Sequence, residues 1–351
     1  MHAILDAEFS THAGLVLGID AAGFIATGQH NIKPNKSVQS SQLGHSSGQQ
    51  GLDLGREGPS IDALCGSRGA HTSRIPSKHP PPPTLHVMST LQLVAINVGN
   101  TRTHIAAATG MELADPVSLS NTDLGAITQA VLAARESLKA DSLRPILIAS
   151  NNDTLADQLG SALTDQLSEG IYRVGDDLPI PIQVDLAPET MTGSDRLLNA
   201  VAAFEVLQQA CVVVDAGTAV TVDFVDGEGT FHGGAIAPGA RMQLASLHEH
   251  TDALPDIDLA APDTEVFGRS TAEAMLRGVY VGIRGLVRTT VEQYAEHYGA
   301  FPTIVATGGD ADLLFRGDEF VDRVVPDLTL LGIAVAGREA MATASGDGDA
   351  A

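Results

Sequence analysis

Residues 212–223 read VVVDAGTAVTVD, a run of β-branched residues that ends in an acid, a glycine and a threonine before apolar and polar residues alternate again. This pattern predicts a strand, a tight turn and a second strand. Gly217 allows the backbone to approach a ligand closely, and the Thr218 hydroxyl and neighbouring N–H groups can donate to phosphate oxygens. Asp215, at the mouth of the turn, can hold Mg²⁺ directly or through water. The stretch predicts a phosphate-binding hairpin. The alternative is an ordinary hairpin, in which DAGT at 215–218 only supplies the residues of a turn.

A second copy of this pattern occurs upstream, where residues 93–104 read LVAINVGNTRTH. Three positions of the upstream turn align with the downstream one: Asn97 with Asp215, Gly99 with Gly217, and Asn100 with Thr218. Two hairpins with the same turn chemistry, separated by about a domain's length of chain, indicate a duplicated unit with a nucleotide bound between the halves.

Both hairpins resemble motifs of the type III pantothenate kinases. The first resembles their Asp-x-Gly-Asn-Thr phosphate motif, except that Asn97 replaces the leading Asp, and the second resembles their Asp-x-Gly-Thr-Ala motif. The sequence GSDR at 193–196 resembles their Gly-x-Asp-Arg motif. GGAIAPG at 233–239 and TGG at 307–309 fall where the family has its Gly-rich hairpin and its adenosine-side glycines. Five motifs in this order, over roughly residues 91–332, make the resemblance specific.

The resemblance implies an α/β fold of the acetate and sugar kinase, Hsp70 and actin type, with two duplicated ribonuclease-H-like domains flanking a nucleotide cleft. It implies ATP-dependent phosphorylation of pantothenate to 4'-phosphopantothenate, the first step of coenzyme A biosynthesis. The implied cofactors are ATP with Mg²⁺ and a monovalent cation, K⁺ or NH₄⁺. The implied state is a cytoplasmic homodimer.

The resemblance also assigns roles to individual residues. Asp195 is the implied catalytic base, and Asp215 is the implied metal ligand. Phosphoryl transfer passes through a loose transition state, so Asp195 needs only to aim the acceptor hydroxyl and take its proton late. The implied pantothenate-binding residues are Gly193, Ser194 and Arg196. The implied ATP- and phosphate-binding residues are Asn97, Gly99, Asn100, Thr101, Gly217, Thr218, Gly308 and Gly309.

Asp195 and Arg196 fall in the first turn of a predicted Ala-rich helix. An acid is favourable there as ordinary capping, but an arginine opposes the helix dipole. We therefore expect Arg196 to have an anionic ligand or a partner carboxylate.

The chain divides by composition into four parts. Residues 1–87 are rich in Gly, Ser, His and Gln and are predicted to be a disordered or misassigned extension. Residues 88–200 and 201–340 are predicted to be the two ribonuclease-H-like domains, and 341–351 a flexible tail. Within the second domain, residues 270–296 predict one long helical region interrupted by three glycines, which is a candidate dimer contact or a site of close packing within the chain.

Composition limits the possible partners. With 20 Lys and Arg against 43 Asp and Glu, the net charge of −23 argues against binding to nucleic acid or to an anionic membrane. No stretch approaches the roughly 20 apolar residues that cross a membrane, and no leader pattern precedes the domains, so we expect a cytoplasmic protein.

Two alternatives stay open on the sequence. Because Asn97 replaces an acid, the protein could be a nucleotide-binding regulator that is catalytically weak or inactive. It could also be a kinase of the same fold that acts on another small hydroxy acid or sugar.

Overall fold

The computed structural model describes residues 91–139, 143–167, 170–263 and 265–346. The predicted extension, residues 1–87, lies outside this range. Among the residues described, no helix is both long enough and apolar enough to cross a membrane.

The first sheet is built from the upstream hairpin and the strands that follow it. Its strands are β1 (Gln92–Val98), β2 (Arg102–Thr109), β3 (Glu112–Ser120), β4 (Ile146–Ser150) and β5 (Ile171–Arg173). They lie in the order β3-β2-β1-β4-β5. Strand β2 is antiparallel to both of its neighbours, β1 and β3, whereas β4 is parallel to β1 and β5 is parallel to β4. The central strands β1 and β4 are apolar along almost their whole length, as expected of strands covered on both faces.

The second sheet repeats this order around the downstream hairpin. Its strands are β6 (Gln183–Val184), β7 (Cys211–Ala216), β8 (Ala219–Val225), β9 (Thr230–Pro238), β10 (Thr303–Thr307) and β11 (Arg323–Val324). They lie in the order β11-β10-β7-β8-β9-β6. Apart from the two-residue β6 at the edge, this is the connectivity of the first sheet, so the predicted α/β class and its duplication are confirmed.

Helices cover both faces of each sheet. They are α1 (Leu124–Ser137), α2 (Asp153–Thr164), α3 (Ser194–Leu207), α4 (Ala240–Glu249), α5 (Thr271–Tyr298), α6 (Ala311–Phe315) and α7 (Leu328–Gly346). Helices α1 and α2 pack on the outer face of the first sheet, and α4, α5 and α6 pack on the outer face of the second.

Helices α3 and α7 lie between the two sheets. Leu198 of α3 and Ile333 of α7 pack against Leu93 of the first sheet. Ala202 of α3 and residues of the second sheet share another buried cluster, which Leu328 of α7 joins. The helix pair therefore holds the two halves together behind the cleft. The domain boundary predicted between residues 200 and 201 falls inside α3.

Three features differ from the sequence-based expectations. Strand β3 was not predicted, because it is largely exposed and mostly lacks an apolar alternation. It is also irregular: Asp115 has a positive φ of 45°, and the pairing with β2 shifts its register between Ile105 and Ala107. Helix α5 is continuous: Gly278, Gly282 and Gly285 lie on its exposed face and do not interrupt it. Helix α7 continues to Gly346, beyond the predicted start of the tail at residue 341, because its Ala-rich sequence favours helix.

Candidate nucleotide and acceptor site

The two predicted phosphate turns face each other. Each turn joins the central strand of its sheet to the next antiparallel strand, so the turns lie at corresponding ends of the two sheets. The hydroxyl of Thr101 in the first turn lies 3.2 Å from the hydroxyl of Thr218 in the second. The fold therefore brings together two turns that are 117 residues apart in sequence.

The first turn is held by a side chain that the sequence motifs do not include. The Gly99 N–H donates to the Arg102 carbonyl at 3.0 Å, which closes the turn. The Asn121 side chain donates to the Gly99 carbonyl at 2.8 Å and accepts from the Thr103 hydroxyl at 2.8 Å. The Asn121 N–H donates to the Thr101 carbonyl at 3.2 Å. Asn121 thus fixes the turn backbone from the end of β3, a strand that the sequence did not predict.

The second turn is held mainly by backbone. The Gly217 N–H donates to the Ala219 carbonyl at 2.9 Å, and the Gly239 N–H donates to the Thr218 carbonyl at 3.0 Å. A Cβ on Gly239 would lie 2.1 Å from the Gly217 carbonyl oxygen, so no side chain fits there. The Gly-rich hairpin of the motif set therefore lies directly against the phosphate turn.

Asp215 is the next-to-last residue of β7 and lies just before the second turn. It is partly exposed, and one carboxylate oxygen accepts from the Asn199 side chain at 2.9 Å. Asn199 is buried and in turn accepts from the Thr329 hydroxyl at 2.7 Å. Burial and the nearby charge of Asp195 raise the pKa of Asp215 to about 6, while the Asn199 hydrogen bond opposes the rise. Sequence reasoning missed Asn199 and Thr329, which reach the site from α3 and α7.

The glycine pair after β10 has two different environments. Gly308 has a φ of +95°, and a Cβ there would lie 2.4 Å from a carboxylate oxygen of Asp215. Only glycine fits this position. Around Gly309, by contrast, a Cβ would meet no atom within 4 Å. The open space above Gly309 is compatible with a bound nucleotide.

The residues at the starts of the two turns fit a magnesium ion. The side-chain oxygen of Asn97 is buried and has no hydrogen-bond partner among the residues that the structure describes. Asn97 shares a face of β1 with Leu93 and Ala95, the face that packs towards α3 and α7. Carboxylate and amide oxygens are suitable ligands for Mg²⁺. Asp215 supplies the negative charge of this pair, and Asn97 supplies a neutral oxygen.

The predicted acceptor-side residues lie at the start of α3. The Asp195 carboxylate accepts from the Arg196 N–H at 2.8 Å. A Cβ on Gly193 would lie 2.7 Å from that carboxylate, so the glycine makes room for it. The Ser194 hydroxyl donates to the Ser150 carbonyl at 3.1 Å and ties the start of α3 to the end of β4. Asp195 is partly exposed and is therefore accessible from solvent.

Arg196 has the partner carboxylate that its position in the helix requires. Its Nε donates to both oxygens of Asp223 at 3.1 Å, and a second guanidinium nitrogen donates to the same carboxylate. Asp223 is only 2% exposed. The hydrogen bond to Asp223 raises the pKa of Arg196, and burial raises the pKa of Asp223. The ion pair explains why an arginine is tolerated in the first turn of helix α3. The role of Arg196 in substrate binding stays a prediction.

Comparison with known proteins places this chain among enzymes. The family model described as type III pantothenate kinase matches residues 93–293. The chain is 32% identical over 254 residues to the type III pantothenate kinase of Dehalococcoides mccartyi strain 195, covering 70% of this chain and 96% of that protein. It is 39% identical over 248 residues to the type III pantothenate kinase of Rhodopirellula baltica, and the match covers 63% of this chain and 89% of that protein.

Among solved structures, the chain is similar to one described as a conserved putative Baf family transcriptional activator from Campylobacter jejuni. The sequence identity is 20% and the TM-score is 0.47, and the match covers 72% of this chain and 99% of that one.

Proposed function

The chain belongs to the type III pantothenate kinase family, and we propose that it transfers the γ-phosphoryl group of ATP to pantothenate to give 4'-phosphopantothenate. The observation that carries the proposal is the meeting of the two phosphate turns, whose threonine hydroxyls lie 3.2 Å apart. Asp195 lies one helical turn before Asn199, whose side chain donates to Asp215, and this supports a base close to the proposed metal ligand. The family's reaction is the first step of coenzyme A biosynthesis.

The proposed roles combine the family resemblance with the geometry of the site. Asp215 and Asn97 are the residues that would hold Mg²⁺, and the ion would neutralise charge on the ATP phosphates. The Gly99 and Gly217 N–H groups close the turns, so the hydroxyls of Thr101 and Thr218 and the other N–H groups of the turns donate to phosphate oxygens, which positions the group to be transferred. Gly308 and Gly309 are assigned to the adenosine side of ATP on the family resemblance, and the open space around Gly309 supports this assignment. Asp195 accepts a hydrogen bond from the acceptor hydroxyl, aims its oxygen and takes its proton as the bond to phosphorus forms.

Replacing Asp195 tests the proposed base. We expect Asp195→Asn to lower kcat by about two to four powers of ten, the usual effect of removing a positioned general base, and to leave ATP affinity nearly unchanged. Asp153→Asn is the matched control, because Asp153 is also an acid in the first turn of a helix but lies on α2. If the two variants lose activity equally, Asp195 is only a helix-capping residue and the proposed base is wrong.

A substrate panel separates this function from its alternatives. Both relatives reported above are named type III pantothenate kinases, so they support neither a regulator nor a kinase of another substrate. Turnover of pantothenate in preference to pantetheine and simple sugars supports the proposal. ATP binding without any turnover would favour the regulator.

We also propose that the protein is a homodimer and that α5 forms the contact. Val281 on the exposed face of α5 is 55% exposed, and Gly278 and Gly285 are two of its neighbours along the helix surface. Elsewhere along α5, a groove of about 670 Å³ between α4 and α5 is lined mainly by apolar side chains, which include Met242 and Leu247. A Cβ on Gly282 meets no atom within 4 Å, so Gly282→Arg should preserve the protomer and block the contact.

The mass in solution, measured by light scattering, tests this contact. Gly160→Arg on α2 is the control, because a Cβ there also meets no neighbour within 4 Å. A dimer in the control and a monomer in Gly282→Arg support the proposal, whereas a dimer in both removes α5 from the interface.

Dependence on K⁺ or NH₄⁺ and residence in the cytoplasm are further proposals that rest on the family. Initial rates in KCl, NH₄Cl and NaCl at equal ionic strength test the first. The charge of −23 supports the view that nucleic acid and anionic membranes are not partners.

A further inference from the structure

A chain of hydrogen bonds runs beside the first phosphate turn, and no residue of the motif set takes part in it. His104 lies on β2 and pairs with Asn97 of β1. Its Nδ1 lies 3.1 Å from the carboxylate of Asp327, and its Nε2 lies 3.3 Å from the hydroxyl of Ser118. The Ser118 hydroxyl also accepts from Arg102 Nε at 2.8 Å. The four side chains are therefore linked end to end.

Every bond in this chain can be satisfied with a single proton on the His104 ring. Arg102 can only donate, so the Ser118 oxygen accepts from it and the Ser118 hydroxyl proton is free to point at His104 Nε2. His104 then carries its proton on Nδ1 and donates it to Asp327, which fixes the tautomer and the orientation of the ring. A second guanidinium nitrogen of Arg102 donates to the Ser118 carbonyl at 2.7 Å, which anchors the beginning of the chain.

One end of this hydrogen-bond chain lies at the first phosphate turn, and the other lies in the segment that connects the second sheet to α7. Arg102 directly follows Thr101, the residue whose hydroxyl meets the second turn. Asp327 lies in the link, residues 325–327, which connects β11 of the second sheet to α7. The link is tied to the second sheet by the Val325 N–H, which donates to the Ala306 carbonyl at 2.8 Å. The hydrogen-bond chain thus connects the first turn to a segment that belongs to the second half.

The hydrogen bonds that support the Asp215 side chain begin close to Asp327. Thr329, two residues after Asp327, donates to Asn199, and Asn199 donates to the Asp215 carboxylate. The segment from Asp327 to Thr329 therefore supports both the side chain of the proposed metal ligand, through Asn199, and strand β2, through His104. A displacement of this segment would move both turns.

Asp327 adopts a backbone conformation that most residues avoid. Its φ is +54°, in the left-handed region, where non-glycine residues are uncommon and where Asp and Asn are enriched. Such conformations persist only where surrounding contacts hold them. The bond to His104 is one of these contacts, and the backbone carbonyl of Asp327 accepts from the Leu330 N–H at 3.0 Å.

We propose that Arg102, Ser118, His104 and Asp327 form a clasp that holds the first phosphate turn against the link between the two halves and thereby sets the affinity for ATP. His104 and Asp327 act as positioning residues. The proposal rests on the proposed nucleotide site, and it adds to that site a supporting hydrogen-bond chain that lies outside the five motifs.

Two substitutions at Asp327 separate the carboxylate from the backbone conformation. Asp327→Gly keeps the left-handed backbone and removes the hydrogen-bond acceptor, whereas Asp327→Asn keeps both. Gln208→Gly is the matched control, because Gln208 also has a left-handed φ, of 49°, but lies exposed at the end of α3. For each protein we would measure the Kd of a non-hydrolysable ATP analogue with Mg²⁺ by calorimetry, along with KM, kcat and Tm.

We expect Asp327→Gly to raise the Kd of the analogue and the KM for ATP by roughly three- to tenfold, the range that one lost hydrogen bond produces, with kcat within about twofold. Asp327→Asn should restore most of the affinity, and Gln208→Gly should leave it unchanged. His104→Ala should match Asp327→Gly, and the double variant should lose no more than either single variant, because both break the same chain.

Four outcomes would decide against parts of this account. An unchanged Kd in Asp327→Gly, or fully additive losses in the double variant, would overturn the clasp alone. Normal analogue binding and the expected Kd shifts without turnover of pantothenate would overturn the proposed function alone. No analogue binding by the unmodified protein would overturn both.

Discussion

The two phosphate turns have the same chemistry in sequence but are supported in different ways. Asp215 begins the second turn with a carboxylate that Asn199 holds, while Asn97 begins the first with a neutral oxygen that no described residue bonds. Across the turn, Asn97 pairs with His104 and Asp215 pairs with Thr221, so the first turn is one residue longer. The duplicated fold keeps the position of the turns, and of the two residues that begin them only Asp215, in the second half, is an acid.

The backbone of the turns shows the same contrast. In the first turn, the Asn121 side chain makes hydrogen bonds that fix the loop, whereas in the second the glycines 239 and 308 allow backbone and carboxylate to pack tightly. We therefore expect the second turn to respond strongly to changes in charge and in packing. The first should tolerate changes at Asn97 far better.

The largest expected difference is between the two residues that begin the turns. At an effective dielectric constant near 20, a unit charge about 4 Å from another is worth roughly 4 kcal/mol, so losing the carboxylate should be costly. We expect Asp215→Asn to lower kcat/KM for MgATP by about 10²- to 10³-fold or more, and Asn97→Ala to lower it by less than about tenfold. Steady-state rates over a range of Mg²⁺ concentrations measure both. Equal losses would show that the two turns share the metal equally.

The next prediction concerns the packing beneath Asp215. Gly308→Ala places a Cβ against the carboxylate and forces alanine into a left-handed conformation, so the free energy of unfolding should fall by about 1 to 3 kcal/mol. Gly309→Ala meets no neighbour and should change it by less than about 0.5 kcal/mol without nucleotide. Urea denaturation of both variants makes the comparison. If Gly308→Ala lowers the free energy of unfolding as little as Gly309→Ala does, the tight packing beneath Asp215 does not limit the second turn.

The charge of Asp215 should also reduce stability in the absence of metal. Because burial raises its pKa from 3.8 to about 6, the folded protein binds more protons than the unfolded chain between these pH values. The free energy of unfolding attributable to Asp215 therefore falls as pH rises through this window, and the whole cost is present above about pH 6. Asp215→Asn removes this cost.

We expect metal-free Asp215→Asn to be more stable than the unmodified protein at pH 7 by about 1 to 3 kcal/mol, with the difference vanishing near pH 4. The upper figure corresponds to the full rise in pKa, and the lower one allows for the solvent that reaches this partly exposed residue. Asp226→Asn is a control of opposite sign. Burial acts to raise the pKa of Asp226, but its hydrogen bonds to His232 and to backbone N–H groups lower it overall, so this substitution should destabilise the protein at pH 7. A variant at Asp215 that is less stable at pH 7 would contradict the electrostatic argument.

The sequence was sufficient to predict the turns because turn chemistry is local. A β-branched run, an acid and a glycine within six residues specify a strand and its turn, and the repeat of that pattern predicted the duplication. Supporting residues were harder to predict. Asn199 bonds Thr329, which is 130 residues away, and Asn121 follows an exposed strand without apolar alternation. Arg196 lies between these cases: its position in the helix predicted an anionic partner, and only the fold identifies that partner as Asp223.

The most direct test of the central claim is a metal titration of the unmodified protein and Asn97→Asp. Binding of Mn²⁺ in the presence of a non-hydrolysable ATP analogue, followed by electron paramagnetic resonance, reports affinity without relying on turnover. If Asn97 faces the metal and withholds a charge, the carboxylate should lower the half-saturating metal concentration by about tenfold or more, equivalent to at least roughly 1.4 kcal/mol. If both proteins saturate at the same concentration, Asn97 does not face the metal, and the contrast between the two turns does not govern metal binding.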